Sequence, residues 1–236
     1  MRNLHLTSPM MNGPDVSATQ HRLDALGWGP GPVDGLYGPV TVEAVRRLQR
    51  AAGLVDDGVV GPLTRAALDK GVQASMPVPS APGILALAEA RRHLGVRENP
   101  PGSNRTPFGR WFGVDGVPWC NIFVSYCFST AAGLIIADGF PGGKAIGVYA
   151  GKGCAYVPTT EAWLRSIGAW IGISDPLPGD VVIYDWEDDG RSDHIGIVSR
   201  GIIQGMFLAV EGNAGAGVVL EGRRTLSTVR GFGRIR

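Results

Sequence analysis

Val117-Pro118-Trp119-Cys120-Asn121-Ile122-Phe123 is the stretch on which the reading of this chain turns. Apolar residues follow it at helical spacing, at Ile122, Phe123, Tyr126, Cys127 and Thr130/Ala131, and stop at Gly133. The pattern predicts a helix with Pro118 in its first position and Cys120 just inside. A thiol there lies near unpaired N–H groups and the positive end of the helix dipole. That setting favours the thiolate and can hold an oxyanion. Far downstream, His194 opens the strand-like run His194-Ile195-Gly196-Ile197-Val198. Glu211 closes another, Phe207-Leu208-Ala209-Val210-Glu211, just before Gly212 and Asn213. A thiol, an imidazole to move its proton and a carboxylate to orient the ring are the parts of a cysteine-dependent acyl-transfer site.

The competing readings are structural. A free cysteine is most often a small buried hydrophobe, and that is the reading for Cys127 and Cys154. Cys127 lies two helical turns from Cys120, about 10 Å along the axis. Cys154 falls in a loop with no base near it. Asp193, as the strand neighbour of His194, should point to the opposite face. The acidic run Asp185-Trp186-Glu187-Asp188-Asp189-Gly190 departs from a calcium loop at Glu187, and Gly196 stands where the closing glutamate belongs. It reads as a solvated hairpin turn. The four histidines, His5, His21, His93 and His194, have no zinc-ligand spacing. No metal and no cofactor are expected. Trp111, Trp119 and Trp186 are candidates to line a groove beside the thiol, with core packing the equal alternative.

Composition narrows the partners. A formal net charge of +1 lacks the basic excess that nucleic acid or an anionic membrane calls for. Three cysteines cannot all pair, which suits a reducing compartment or a working thiol. The N-terminus lacks the apolar run of a secretion signal, and no stretch nears the roughly 20 apolar residues that span a bilayer. These features lead us to expect a cytoplasmic product with no membrane insertion.

Residues 73–83, rich in proline and small residues and free of charge, read as a linker between a domain over 1–72 and another over 84–236. The first contains a repeat: Asp34-Gly35-Leu36-Tyr37-Gly38-Pro39-Val40-Thr41 recurs 23 residues on as Asp57-Gly58-Val59-Val60-Gly61-Pro62-Leu63-Thr64. In each copy Asp-Gly makes a turn, Gly-Pro a second bend, and the threonine is placed to cap a helix. An earlier helix is expected over about Asp15 to Leu26. Three short helices with doubled Asp-Gly turns resemble the small peptidoglycan-binding domain of cell-wall hydrolases over roughly residues 12–70. Thr19 stands where that family usually has leucine.

The second domain reads as helices around 84–94, from Cys120 and around 160–167. A glycine-rich loop over about 138–153 interrupts them. Strands follow at 180–185, 195–199, 207–210 and near 231–235, an α+β order. In sequence order, Trp119-Cys120, Gly179-Asp180, Asp193-His194-Ile195-Gly196-Ile197-Val198 and Glu211-Gly212-Asn213 resemble the landmarks of the CHAP cysteine amidohydrolases and peptidases over about 85–236. The likeness implies a papain-like domain of helices and antiparallel sheet. It makes Cys120 the nucleophile, His194 the base, Glu211 the orienting carboxylate and Asn213 a further polar support. The calcium site of some CHAP domains is not expected, because Asp115 alone precedes the cysteine. The whole resembles a bacteriophage endolysin, which implies a protein that waits in the host cytoplasm and meets the peptidoglycan wall at lysis; a monomer is expected, since the wall is a fixed polymer. The motifs serve a muramoyl–L-alanine amidase and an endopeptidase alike, and we favour the amidase. An autolysin or tail-associated hydrolase shares the chemistry. An inactive wall-binding structural protein is the reading from another class, against which the intact Cys120, His194 and Glu211 stand.

Overall fold

Three Gly-Pro steps start the three helices of the N-terminal unit: α1 (Pro14–Ala25), α2 (Pro39–Ala51) and α3 (Pro62–Asp69) follow Gly13, Gly38 and Gly61. Proline fits the first helical position because its φ is already helical and its missing N–H has no partner to lose there. The computed structural model describes residues 2–73, 79–173 and 175–236. The chain divides into two compact units, 1–77 and 78–236. Of the linker expected over 73–83, residues 74–78 lie outside the described ones. Residues 81–83 already belong to a helix.

The repeated turns are organised from below by two buried glutamines. Gln20 Nε2 donates to Asp34 Oδ1 (3.0 Å), the Leu36 carbonyl (3.1 Å) and Thr41 Oγ1 (3.2 Å), while its Oε1 accepts from the Gly35 N–H (2.9 Å). Gln49 repeats the set with Asp57 (2.9 Å), Val59 (3.0 Å), Thr64 (3.0 Å) and Gly58 (2.9 Å). Gly35 and Gly58 hold φ of +73° and +72°, which a side chain rarely adopts. The threonines do not cap. Thr41 and Thr64 sit inside their helices, the caps are Gly38 and Gly61, and the hydroxyls donate to the Pro30 and Val59 carbonyls. Tyr37 and Val60, equivalent in the repeat, are both fully buried among Val16, Leu23, Val45 and Leu48. The Tyr37 hydroxyl ties the copies together by donating to the Gly58 carbonyl (2.9 Å).

The second unit is α+β. Helices α4 (Ala81–Arg92), α5 (Pro107–Phe112), α6 (Cys120–Ala132) and α7 (Val157–Ser166) precede most of the sheet. The glycine-rich loop contains a 3₁₀ turn (Gly143–Ile146) and a small hairpin of β1 (Val148–Tyr149) and β2 (Gly153–Cys154). Six further strands complete the unit: β3 (Trp170–Gly172), β4 (Val181–Tyr184), β5 (His194–Ile203), β6 (Met206–Ala214), β7 (Val218–Thr225) and β8 (Val229–Gly233). They form an antiparallel sheet in the order β3-β8-β4-β5-β6-β7. β6 runs through Glu211 instead of ending there. Strand β7 and helix α5 were not read from the sequence.

Alternation along the strands divides the interior. Val181, Ile183, Ile195, Ile197 and Val210 pack with the helices, while Val182, Tyr184, Val198, Phe207, Ala209 and Phe232 form a second cluster. Two close approaches lock helices to sheet. A Cβ on Gly83 or Gly179 would overlap the other residue's backbone, so the first turn of α4 meets the turn before β4 main chain to main chain. Beside it, buried Asp180 takes a two-point grip from Arg234 (2.9 and 2.7 Å). The Gly179-Asp180 landmark therefore anchors the C-terminal strand.

Candidate active site

Helix α6 starts two residues later than the proline suggests. Trp119 is its cap and Cys120 its first residue, which leaves Pro118 outside. The first i→i−4 bond runs from the Phe123 N–H to the Trp119 carbonyl (2.9 Å). The N–H groups of Cys120, Asn121 and Ile122 thus precede the helical ladder and carry the positive end of its dipole. Gly212 brings this end onto the sheet: a Cβ there would lie 2.6 Å from Phe123 Cβ and 2.8 Å from Trp119 Cζ3.

His194 is the first residue of β5 and pairs directly with Tyr184, the last of β4. Its ring therefore sits at the end of the sheet, where it can meet the start of α6. Extending the Ile197–Val210 pairing by one step sets Glu211 opposite Gly196. A Cβ on Gly196 would lie 2.6 Å from Glu211 Cγ, so the bare glycine gives the carboxylate its path toward His194. His194 Nε2 lies 3.3 Å from Glu211 Oε2. That leaves Nδ1 away from the carboxylate, and the nearby Cys120 thiol acts on the ring to favour its protonated form. The structure thus brings Cys120, His194 and Glu211 together in one chain of contacts.

Glu211 has no exposed surface and is held by more than the histidine. Tyr184 donates its hydroxyl to Oε1 (2.8 Å), and Arg224 donates Nε to Oε1 (2.9 Å) and Nη2 to Oε2 (2.7 Å). Burial pushes the Glu211 carboxyl up, but bonds from His194 and Arg224 outweigh it and hold it below the usual range. Burial pulls His194 down, but bonds with Cys120 and Glu211 prevail and push the imidazole up to about 9. Burial and the Glu211 charge hold the Tyr184 hydroxyl well above its ordinary value, so it stays a donor.

The other candidates divide. Trp186 stacks on the His194 ring, centroids 4.1 Å apart and planes 24° apart, with its other face in solvent. Trp119 is fully buried and donates to Glu98 (3.1 Å), so it cannot line a groove. Trp111 packs on Tyr126 beneath Lys152. A pocket of about 540 Å³ opens over Cys120. Val117, Pro118, Tyr149 and Tyr156 are among the residues that line it, and none of the three tryptophans is. Asn213 lies on β6 at φ +56° in a register shift, and no hydrogen bond joins it to Cys120, His194 or Glu211. Asp193 accepts from the Trp186 N–H (2.7 Å), pinning the loop that carries the stacked ring. Asp185 accepts from the Asp189 and Gly190 N–H groups, so the acidic run satisfies its own turn. Among the described residues, no group of three or more His, Cys, Asp or Glu is placed to hold a metal. No helix of the described residues is long and apolar enough to cross a membrane. Cys127 and Cys154 are fully buried, and burial pushes both thiols up.

Tyr184 and Arg224 are the members of this cluster that sequence reading missed. Tyr184 carried a signal, since it ends a strand on the same alternation as Val182. Arg224 carried none, because its strand was not recognised.

Two domain-family models match the chain, in this order: one described as "Putative peptidoglycan binding domain" matches residues 12–68, and the CHAP domain model matches residues 112–213. Among curated proteins, an uncharacterized protein in the bpoA1 3′ region of Kitasatospora aureofaciens is 43% identical over 68 residues, 27% of this chain and 58% of that protein. The N-acetylmuramoyl-L-alanine amidase CwlL of Bacillus licheniformis is 42% identical over 67 residues, 26% of this chain and 19% of its own length. The chain thus spans about three-fifths of the first relative and one-fifth of the second.

Proposed function

We propose that this chain is a peptidoglycan hydrolase that cleaves an amide through a thioester on Cys120. The contact chain Cys120–His194–Glu211, with Cys120 in the wall of a pocket lined by apolar residues on one part and by Glu187, Asp189, Arg191, Ser192 and Asp193 on another, carries the reading, in a molecule with a peptidoglycan-binding domain match. The Cys120 thiolate attacks the amide carbonyl carbon, and the oxyanion forms beside the first N–H groups of α6. His194 gives its proton to the leaving nitrogen as the C–N bond breaks. It then takes a proton from water, whose oxygen attacks the thioester and frees Cys120 as thiolate. Glu211 holds the ring in the tautomer and plane that both steps need.

The bond we assign is that between muramic acid and L-alanine. The name of the Bacillus licheniformis relative supports this choice. The setting we assign is that of an endolysin acting as a monomer, with the wall-binding unit holding the catalytic unit at its polymeric substrate. Mass spectrometry of fragments released from purified sacculi, comparing the chain with Cys120→Ala, tests the reaction. Stem peptides with a free L-alanine amine, absent with the variant, are expected. New amines within the stem or cross-bridge make the enzyme an endopeptidase. Release that survives Cys120→Ala removes the thioester mechanism.

A further inference from the structure

The active state proposed above has an unbalanced charge. A Cys120 thiolate, a His194 imidazolium and a Glu211 carboxylate sum to one negative charge among groups with little or no exposed surface. An uncompensated charge in such a place is costly, and the usual escape is to bind a proton. Tyr184, the neutral member of the cluster, cannot change that sum. At the pocket rim Glu187, Asp189 and Asp193 outnumber Arg191, which adds to the imbalance.

Arg224 supplies the missing charge along a path that two glycines keep clear. Its backbone pairs with Phe207, four strand pairs from the Glu211–Leu220 level. The side chain must therefore run back past the Ala209–Gly222 pair. A Cβ on Gly222 would lie 3.0 Å from Arg224 Cζ and 3.1 Å from Nη2, so the guanidinium lies over that bare backbone. Gly196 clears the way for Glu211 from the other side. The two side chains meet in a fork that uses both carboxylate oxygens, the geometry for which arginine differs from lysine. Arg224 also lies past residue 213, where the CHAP match ends.

We propose that Arg224 is a positioning residue of this site: it balances the charge of the thiolate–imidazolium–carboxylate state and fixes the plane of the carboxylate that orients His194. The inference rests on the hydrolase reading for its biological meaning. Its test does not, because it needs no wall.

The experiment is the pH profile of Cys120 alkylation by iodoacetamide in the full chain, resolved from Cys127 and Cys154 by peptide mass. With Arg224→Gln the cluster should hold a proton more tightly. The profile should move up by about one pH unit, slowing alkylation about tenfold at neutral pH. Arg224→Lys, which keeps the charge, should stay within about threefold of the parent. Tyr184→Phe, which removes a neutral donor, should leave the profile in place. A parental profile in Arg224→Gln overturns the proposal, and so does an equal shift in Tyr184→Phe. If Arg224→Gln does not fold, the double variant with Glu211→Gln removes one charge of each sign. Its profile should match the parent, and an upward shift overturns the idea. A shifted profile in a chain that releases nothing from sacculi would instead remove the hydrolase reading and leave the charge balance standing.

Discussion

Gln49 and Glu211 are isosteres buried in different units, each at the centre of four hydrogen bonds, and they do opposite work. The amide of Gln49 both donates and accepts, so it can close a turn on its own neighbourhood. Its partners run from Asp57 to Thr64, at most 15 residues away. The carboxylate of Glu211 only accepts, so each partner must be a donor, and these come from three other strands up to 27 residues away. A neutral group satisfied locally builds a fold. A charged group satisfied by distant cations creates a site whose protonation can change.

The largest effects should separate the two most sharply. Glu211→Ala leaves Arg224 and Tyr184 without their acceptor, and losing one partner of a buried ion pair costs about 3–5 kcal/mol. Denaturant unfolding of the second unit should show that loss, and wall hydrolysis should disappear with it. Gln49→Ala strands the buried Gly58 N–H, costing about 1–3 kcal/mol, while the Val59 carbonyl keeps the Thr64 hydroxyl. The loss should fall on the first unit while Cys120 alkylation stays unchanged. If alkylation slows in Gln49→Ala as well, the division between fold-building and site-building groups fails.

That division also explains what could be read in advance. The Asp-Gly and Gly-Pro steps of the repeat are local signals, so three helices and their turns were legible, although the starts of the second and third helices were expected three residues late, at Thr41 and Thr64 instead of Gly38 and Gly61. Gln20 and Gln49 were not. They lie 29 residues apart while the turns they hold lie 23 apart, so no fixed repeat contains both. In the second unit Cys120, His194 and Glu211 were legible because each opens or ends an apolar run. Arg224 sits in Glu221-Gly222-Arg223-Arg224-Thr225, on an edge strand that opens on buried Val218 and Val219 and from Leu220 on is half-buried and exposed in alternation. Nothing apolar marks it, and only the strand register shows that it reaches Glu211. The threonines misled for the converse reason: a Thr after Gly-Pro looks like a cap, yet the glutamine beneath recruits its hydroxyl instead.

A pH titration sharpens the comparison with a smaller effect. The folded His194 imidazole is raised to about 9 from an ordinary 6.5. Its stabilisation is therefore fully present below about pH 6.5 and is lost as pH rises through 9. The unfolding free energy of the second unit should drop across that window by about 3 kcal/mol. Glu211→Gln, by removing one of the partners that raise the ring, should flatten the slope. The buried polar residues of the first unit, Gln20, Thr41, Glu43, Gln49 and Thr64, include no histidine, and its midpoint should stay level across the same window. A parallel drop in both units would mean that the pH dependence is not centred on the histidine.

The smallest effect lies within the repeat itself. Gly35→Ala and Gly58→Ala face the same backbone strain, since the two φ values differ by one degree. Each should cost about 1 kcal/mol on that account. What differs is the room. A Cβ at Gly35 meets Ser17 Oγ at 2.8 Å, the tip of a half-buried side chain that can rotate away. At Gly58 it meets Val42 Cγ1 at 2.8 Å, a branched side chain fixed in the core beside Tyr37 and Val45. Gly58→Ala should therefore be the more destabilising by a few tenths to about 1 kcal/mol in thermal unfolding of the first unit. Equal losses would show that the copies are interchangeable in packing as well as in hydrogen bonding, with strain alone setting the cost at both turns.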